Sequence, residues 1–164
     1  MTELMIQNVS PFMGKLFSSE CFDSFLLEEG TVRTAVTWTL DSRLNRSFYS
    51  EEEWNDPEER RYEFASWSEL RPLCRELIKG KKAPVGFRFV LRLRPEFLPR
   101  TLGEENISLP IGALLMTIRY DGGQVCIVTG ISYSDFTLDR SAEKLWDRTV
   151  CRFLEHHGIA YDAG

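Results

Sequence analysis

"ALLMTIRYDGGQVCIVTGISY", residues 113–133, decides the fold. Two apolar segments flank Asp121-Gly122-Gly123. Glycine reaches positive φ without a Cβ clash, which a two-residue hairpin turn demands. The flanking segments therefore pair antiparallel. "FRFVLRL", residues 87–93, alternates with period two: Phe87, Phe89, Leu91 and Leu93 point inward, and Arg88, Val90 and Arg92 outward. "TVRTAVTWTL", residues 31–40, reads as one ten-residue strand with Val32, Val36, Trp38 and Leu40 on a common face. "FTLD", residues 136–139, reads as a short last strand.

Capping residues mark the helices. "DPEE" from Asp56 offers a cap, a proline at the first helical position and two carboxylates facing the helix dipole. "SEEEW" from Ser50 is another start. "SWSELRPLCRELIKG" sets Leu70, Leu73, Cys74, Leu77 and Ile78 at 3–4 spacing, with Pro72 confined to the first turn and Gly80 ending the helix. The final helix, about 141–157, carries Leu145, Trp146, Val150, Phe153 and Leu154 on one stripe. Gly158 followed by Ile159 predicts a Schellman stop. "PFMGKLFSSECF" is a shorter helix, weakened by Gly14. Few helices among dominant hairpins predict an α+β fold. It has one antiparallel sheet with two or three helices packed mainly on one face, in a single domain of 164 residues.

Chemistry is bounded more by what is missing. The chain has two histidines, and His156 and His157 are adjacent on one helix turn, about 100° apart, so they cannot chelate one ion together. Cys21, Cys74, Cys126 and Cys151 are far apart and in apolar settings, which predicts four buried, reduced thiols and no C-x-x-C site. A Cys151–His157 dyad is within reach, since six residues is under two turns, but Cys151 lies beside the predicted apolar stripe and not in the electropositive, exposed setting that a reactive thiol needs. Glu51, Glu52 and Glu53 read as a solvated helix start rather than a metal site. No phosphate-loop, dinucleotide or zinc-protease motif occurs. The expectation is no cofactor and no metal. "MTELMIQNVS" has neither the basic head nor the apolar run of a signal peptide, and no stretch is long enough to span a bilayer. The cytoplasm is therefore the expected location, without membrane association.

Several whole segments resemble a family of uncharacterised bacterial proteins, a domain of unknown function. They are "FMGKLFSSECFDSFLLEE" (12–29), "FYSEEEW" (48–54), "WSELRPLCRELIKGK" (67–81) with "FRFVL" (87–91), and "TGISYSDFTLDRSAEKLWD" (129–147). The resemblance implies a cytoplasmic bacterial protein and carries no functional residue. The order of strands and helices is also loosely similar to DNA sliding clamps, a likeness of fold that assigns no function.

Charge is the remaining signal. The chain is net -5, yet residues 68–95 hold eight basic and two acidic groups. Residues 1–67 are net -7 and residues 96–164 net -4. Arg71, Arg75 and Lys79 recur every four residues, so they share one helix flank. Arg88 and Arg92 share the outward strand face, with Arg94 continuing the row and Lys81 and Lys82 in the connection. These eight side chains could form one patch for nucleic acid or another polyanion, or for a protein partner. The competing expectation, which an acidic chain favours, is that they balance the acidic segment "EEEWNDPEE". The expected function is a non-catalytic binding domain. The rival expectation is an enzyme with its site in a pocket between sheet and helix.

Overall fold

The hairpin turn at 121–124 has Gly122 at φ 58° and Gly123 at φ 79°. Positive φ at both central residues is the type I′ geometry, whose twist matches that of the flanking strands. β5 (Ile111–Asp121) and β6 (Gln124–Tyr133) pair antiparallel along their length, from Asp121 opposite Gln124 to Ile111 opposite Tyr133. The computed structural model describes residues 1–59, 62–103, 106 and 108–164.

The other strands are β1 (Glu3–Ile6), β2 (Phe25–Arg33), β3 (Thr37–Asp41), β4 (Gly86–Leu93) and β7 (Tyr161–Ala163). They form one seven-stranded sheet in the order β3-β2-β4-β5-β6-β1-β7, and every pairing is antiparallel. The helices are α1 (Val9–Ser18), α2 (Glu51–Trp54), α3 (Trp67–Ile78), α4 (Leu98–Leu102) and α5 (Ser141–His156). Phe12, Leu16 and Phe17 of α1, Trp67 and Cys74 of α3, and Trp146, Val150 and Leu154 of α5 join the inward strand residues in one core. The three long helices therefore cover one face of the sheet, as an α+β fold requires. Aromatic rings fill that layer. Phe17 packs edge-on to Phe87 and Phe89, and Trp67 lies 5.1 Å from Phe89. Gly30 on β2 makes room: a Cβ there would sit 2.9 Å from the Phe89 ring.

The predicted stop of α5 is present. Gly158 has φ 69°, and Ile159 donates its N–H to the Leu154 carbonyl at 2.8 Å, the 6→1 bond of a Schellman motif. Ser50 and Glu53 form a reciprocal capping box that starts α2.

Several expectations are corrected. The 31–40 stretch is two strands, not one. Thr34 donates its N–H to the Val36 carbonyl at 2.8 Å, and the chain reverses. The reversal sets Val32 opposite Trp38 and Gly30 opposite Leu40. Paired residues keep the same parity across this turn, so the alternation runs through it unbroken. Asp56 starts no helix. Its carboxylate accepts the Glu58 N–H at 2.9 Å and holds a turn, and the end of that acidic segment, at Arg60 and Arg61, lies outside the described residues. "FTLD" is not a strand: residues 134–140 form bends between β6 and α5. Arg140 occupies the N-cap position of α5, and the Asp139 carboxylate before it accepts the Ser141 N–H at 2.9 Å. Pro72 falls in the second turn of α3 rather than the first, and Leu73 beside it is exposed rather than inward. The cost of the missing backbone bond is borne on the solvent side of the helix. Of the four free cysteines, only Cys74 is buried. Cys21, Cys126 and Cys151 are half-buried.

The outer face of the sheet is partly covered by the 42–66 connection. Leu27 donates its N–H to the Ala65 carbonyl at 2.8 Å, and Ala65 donates to Ser42 at 2.8 Å. Leu26 and Phe64 are buried in this region. Val90, read as outward from the alternation, is also buried.

Candidate functional site

α1 and α3 lie side by side on the inner face of the sheet, joined where the Trp67 indole donates to the Leu16 carbonyl at 3.1 Å. Between them runs an open groove of about 360 Å³. Met13 and Phe17 of α1 and Ile78 of α3 give it an apolar floor. Arg75, Lys79 and Lys82 line its other side, and Lys81 stands exposed beside Lys82. Gly14 and Gly80 border the groove, and a Cβ at either would meet nothing within 4 Å.

The eight basic residues of the run do not form one patch. Arg88, Arg92 and Arg94 follow the strand alternation, which places Arg88 and Arg92 on the face away from the helices. There they have partners. Arg88 pairs with Glu29 at 3.0 Å. Arg92 meets Glu28 at 3.2 Å and Glu63 at 3.4 Å, and its guanidinium lies 4.6 Å over the Phe64 ring. Arg94 donates to Ser66 Oγ at 3.5 Å and stands over Tyr62. Its Nε is buried with no hydrogen-bond partner among the described residues. On the helix side, Arg71 pairs with Asp23 in a half-buried ion pair.

The structure therefore brings Arg75, Lys79 and Lys82 together around one groove, with Lys81 exposed beside Lys82 and Arg71 paired elsewhere. Among the described residues Lys79 has only a long, exposed contact to Glu76 at 4.0 Å, a geometry worth little. The side chains of Arg75, Lys81 and Lys82 have no hydrogen bond or ion pair among the described residues. The carboxylates that pair with the run include Asp23, Glu28, Glu29 and Glu63, from outside the "EEEWNDPEE" segment. Sequence reading missed the apolar floor, because Met13 and Phe17 are remote in sequence from the basic run. The 3–4 spacing in α1 signals a buried face but does not show which helix lies beside it.

The groups considered for catalysis are differently arranged. Tyr161 donates its phenol to Glu155 at 2.8 Å, and Cys151 lies against that phenol, raising its pKa. No hydrogen bond joins Cys151 to His156 or His157 among the described residues. Burial first, then the neighbouring His156 and Lys15, pushes the His157 pKa down. A smaller cavity of about 180 Å³ beside α5 carries two carboxylates, both engaged. Glu143 accepts from Tyr133 and Arg140 at 3.3 Å each, and Asp147 accepts from the Thr129 hydroxyl at 2.5 Å. Among the described residues no cluster of histidine, cysteine and carboxylate ligands could hold a metal ion. No described helix is long and apolar enough to cross a membrane.

The chain belongs to the family of unknown function DUF5721, whose model matches residues 15–162. That span includes nearly all of the sheet and both walls of the groove from Lys15 onward. Comparison with curated proteins and with solved structures gives no match.

Proposed function

We propose that this protein is a cytoplasmic, non-catalytic binding domain that takes an anionic partner in the groove between α1 and α3. One observation carries the reading. Of the eight basic side chains in residues 71–94, Arg71, Arg88 and Arg92 are paired with carboxylates, while Arg75 and Lys82, which line an apolar-floored groove, and Lys81 beside them have no hydrogen bond or ion pair among the described residues. Unpaired cations on a protein of net charge -5 make a local positive field where an anion gains most.

The test is an amide NMR titration with two featureless polyanions, poly-L-glutamate and inorganic polyphosphate, at ~50 mM salt, where such attraction is least screened. Shifts should concentrate on residues 13–18 and 75–83, and should vanish in the combined Arg75→Glu, Lys79→Glu and Lys82→Glu variant. Shifts centred on Arg88 and Arg92, or none at all, would overturn the reading.

A further inference from the structure

We infer that the groove's partner is an acidic polypeptide segment that inserts apolar side chains between α1 and α3, and not a nucleic acid. This rests on the anionic-partner reading above and adds the partner's class. The floor is the first argument. Met13 and Ile78, both half-buried, present aliphatic surface to the groove over the buried Phe17 ring, and a floor of this kind rewards buried hydrocarbon rather than phosphate. A helix-in-groove contact uses such a floor for anchors at i, i+3, i+4 and i+7, with charges on the flanks.

The second argument concerns charge complementarity. Arg75 and Lys79 stand one turn apart on the α3 side, and Lys81 and Lys82 continue past its end. Acidic side chains flanking an apolar stripe would meet these cations while the stripe fills the floor. Lys and Arg stems can lie along such a partner with their charged heads still hydrated.

The third argument separates the two classes of macromolecule. Single strands bind proteins by stacking bases on aromatic faces set along a cationic track. Among the described residues that line the groove the only aromatic side chain is Phe17, which is 4 % exposed and packed edge-on to Phe87 and Phe89. A duplex needs cations spread along many phosphates. The strand arginines that would extend the rim, Arg88 and Arg92, instead bind Glu29, Glu28 and Glu63 on the other side of the sheet.

The experiment compares four labelled probes by fluorescence anisotropy on the full chain at ~50 mM salt. They are a helix-forming peptide with Leu at i, i+3, i+4 and i+7 among Glu and Asp, a scrambled peptide of the same composition, a single-stranded oligonucleotide and a duplex. The patterned peptide should bind at least about tenfold tighter than the scramble, since pattern alone decides whether the apolar anchors are buried together. Ile78→Glu should abolish that preference. Gly14→Leu, which fills the groove from a position with open space, should do the same, so loss of folding in one variant does not leave the question open. Equal binding of both peptides would overturn this inference while leaving the anionic-partner reading in place. Tighter binding of either oligonucleotide would overturn it in favour of nucleic acid. No binding by any probe, together with a silent NMR titration, would remove the underlying reading as well.

Discussion

The Trp67 indole N–H meets the Leu16 carbonyl at 3.1 Å in the buried core. Leu16 lies in the last turn of α1, where backbone carbonyls have no partner within the helix. No glycine ends this helix: its C-cap, Ser19, is extended. Side chains supply the missing donors instead, Ser19 Oγ to Lys15 at 2.6 Å and Trp67 to Leu16. Trp67 thus caps one groove wall from within the other. Trp67→Phe should keep most of the packing and strip the donor, costing about 1–3 kcal/mol for the bare carbonyl. Trp67→Ala should cost about 3–5 kcal/mol. Urea melts of the two variants check both. A Trp67→Phe variant as stable as the wild type would mean that the hydrogen bond contributes nothing.

Gly14 sits inside α1 with open space where a Cβ would go. Glycine in a helix interior is roughly 0.5–1 kcal/mol less stable than alanine. Gly14→Ala should therefore stabilise the protein by about that amount, read as a rise in the urea midpoint at unchanged slope. A destabilised variant would show that the groove wall needs the missing side chain for a reason beyond its own packing.

Burial pushes the Cys74 thiol up to about 12 and the Cys21 thiol, also by burial first, up to about 11, from an ordinary value of 9.0. The thiolate is the reactive form, so neither thiol should react quickly with a disulfide reagent near neutral pH until the chain unfolds. The sign of the pH effect follows. Below 9 both states keep the proton. Between 9 and about 12 the unfolded chain releases the Cys74 proton first, so stability falls as pH rises through that window. Comparing Cys74→Ala with the wild type should show the gap between their stabilities shifting across that window. A gap that stays constant would mean that Cys74 ionises alike in both states.

Strand alternation and the Asp121-Gly122-Gly123 turn made the sheet legible, because they are local signals. What lay outside them was decided by neighbours. β7 is three residues long and exists because β1 offers it a free edge. The 31–40 stretch kept its period through a turn, so no pattern could reveal the break. The basic run shows the same limit at the site. Spacing put Arg75 and Lys79 on one flank and Arg88 and Arg92 on one strand face, and both placements hold. Whether the two sets meet depends on which face of the sheet α3 covers, and that is a tertiary fact. Packing on the inner face separates them.

That separation makes the two sets distinguishable by experiment. Arg92 is mostly buried, is shared between Glu28 and Glu63 and stacks on Phe64. Arg92→Glu would place like charges together in a half-buried setting and should destabilise by about 1–3 kcal/mol. Arg88→Glu breaks an exposed pair with Glu29, and should cost only ~0.2–1 kcal/mol. Neither should weaken binding in the α1–α3 groove, on the opposite face. Arg75→Glu and Lys82→Glu should do the reverse. They remove no partner, so stability should stay within about 0.5 kcal/mol of the wild type. Their poly-L-glutamate affinity should fall, and the loss should shrink at high salt as screening removes the attraction that they disrupt. Urea melts and anisotropy on the same four variants give the comparison. If Arg88→Glu weakens the anionic probe as much as Lys82→Glu does, the cations act as one diffuse field and the groove has no special role.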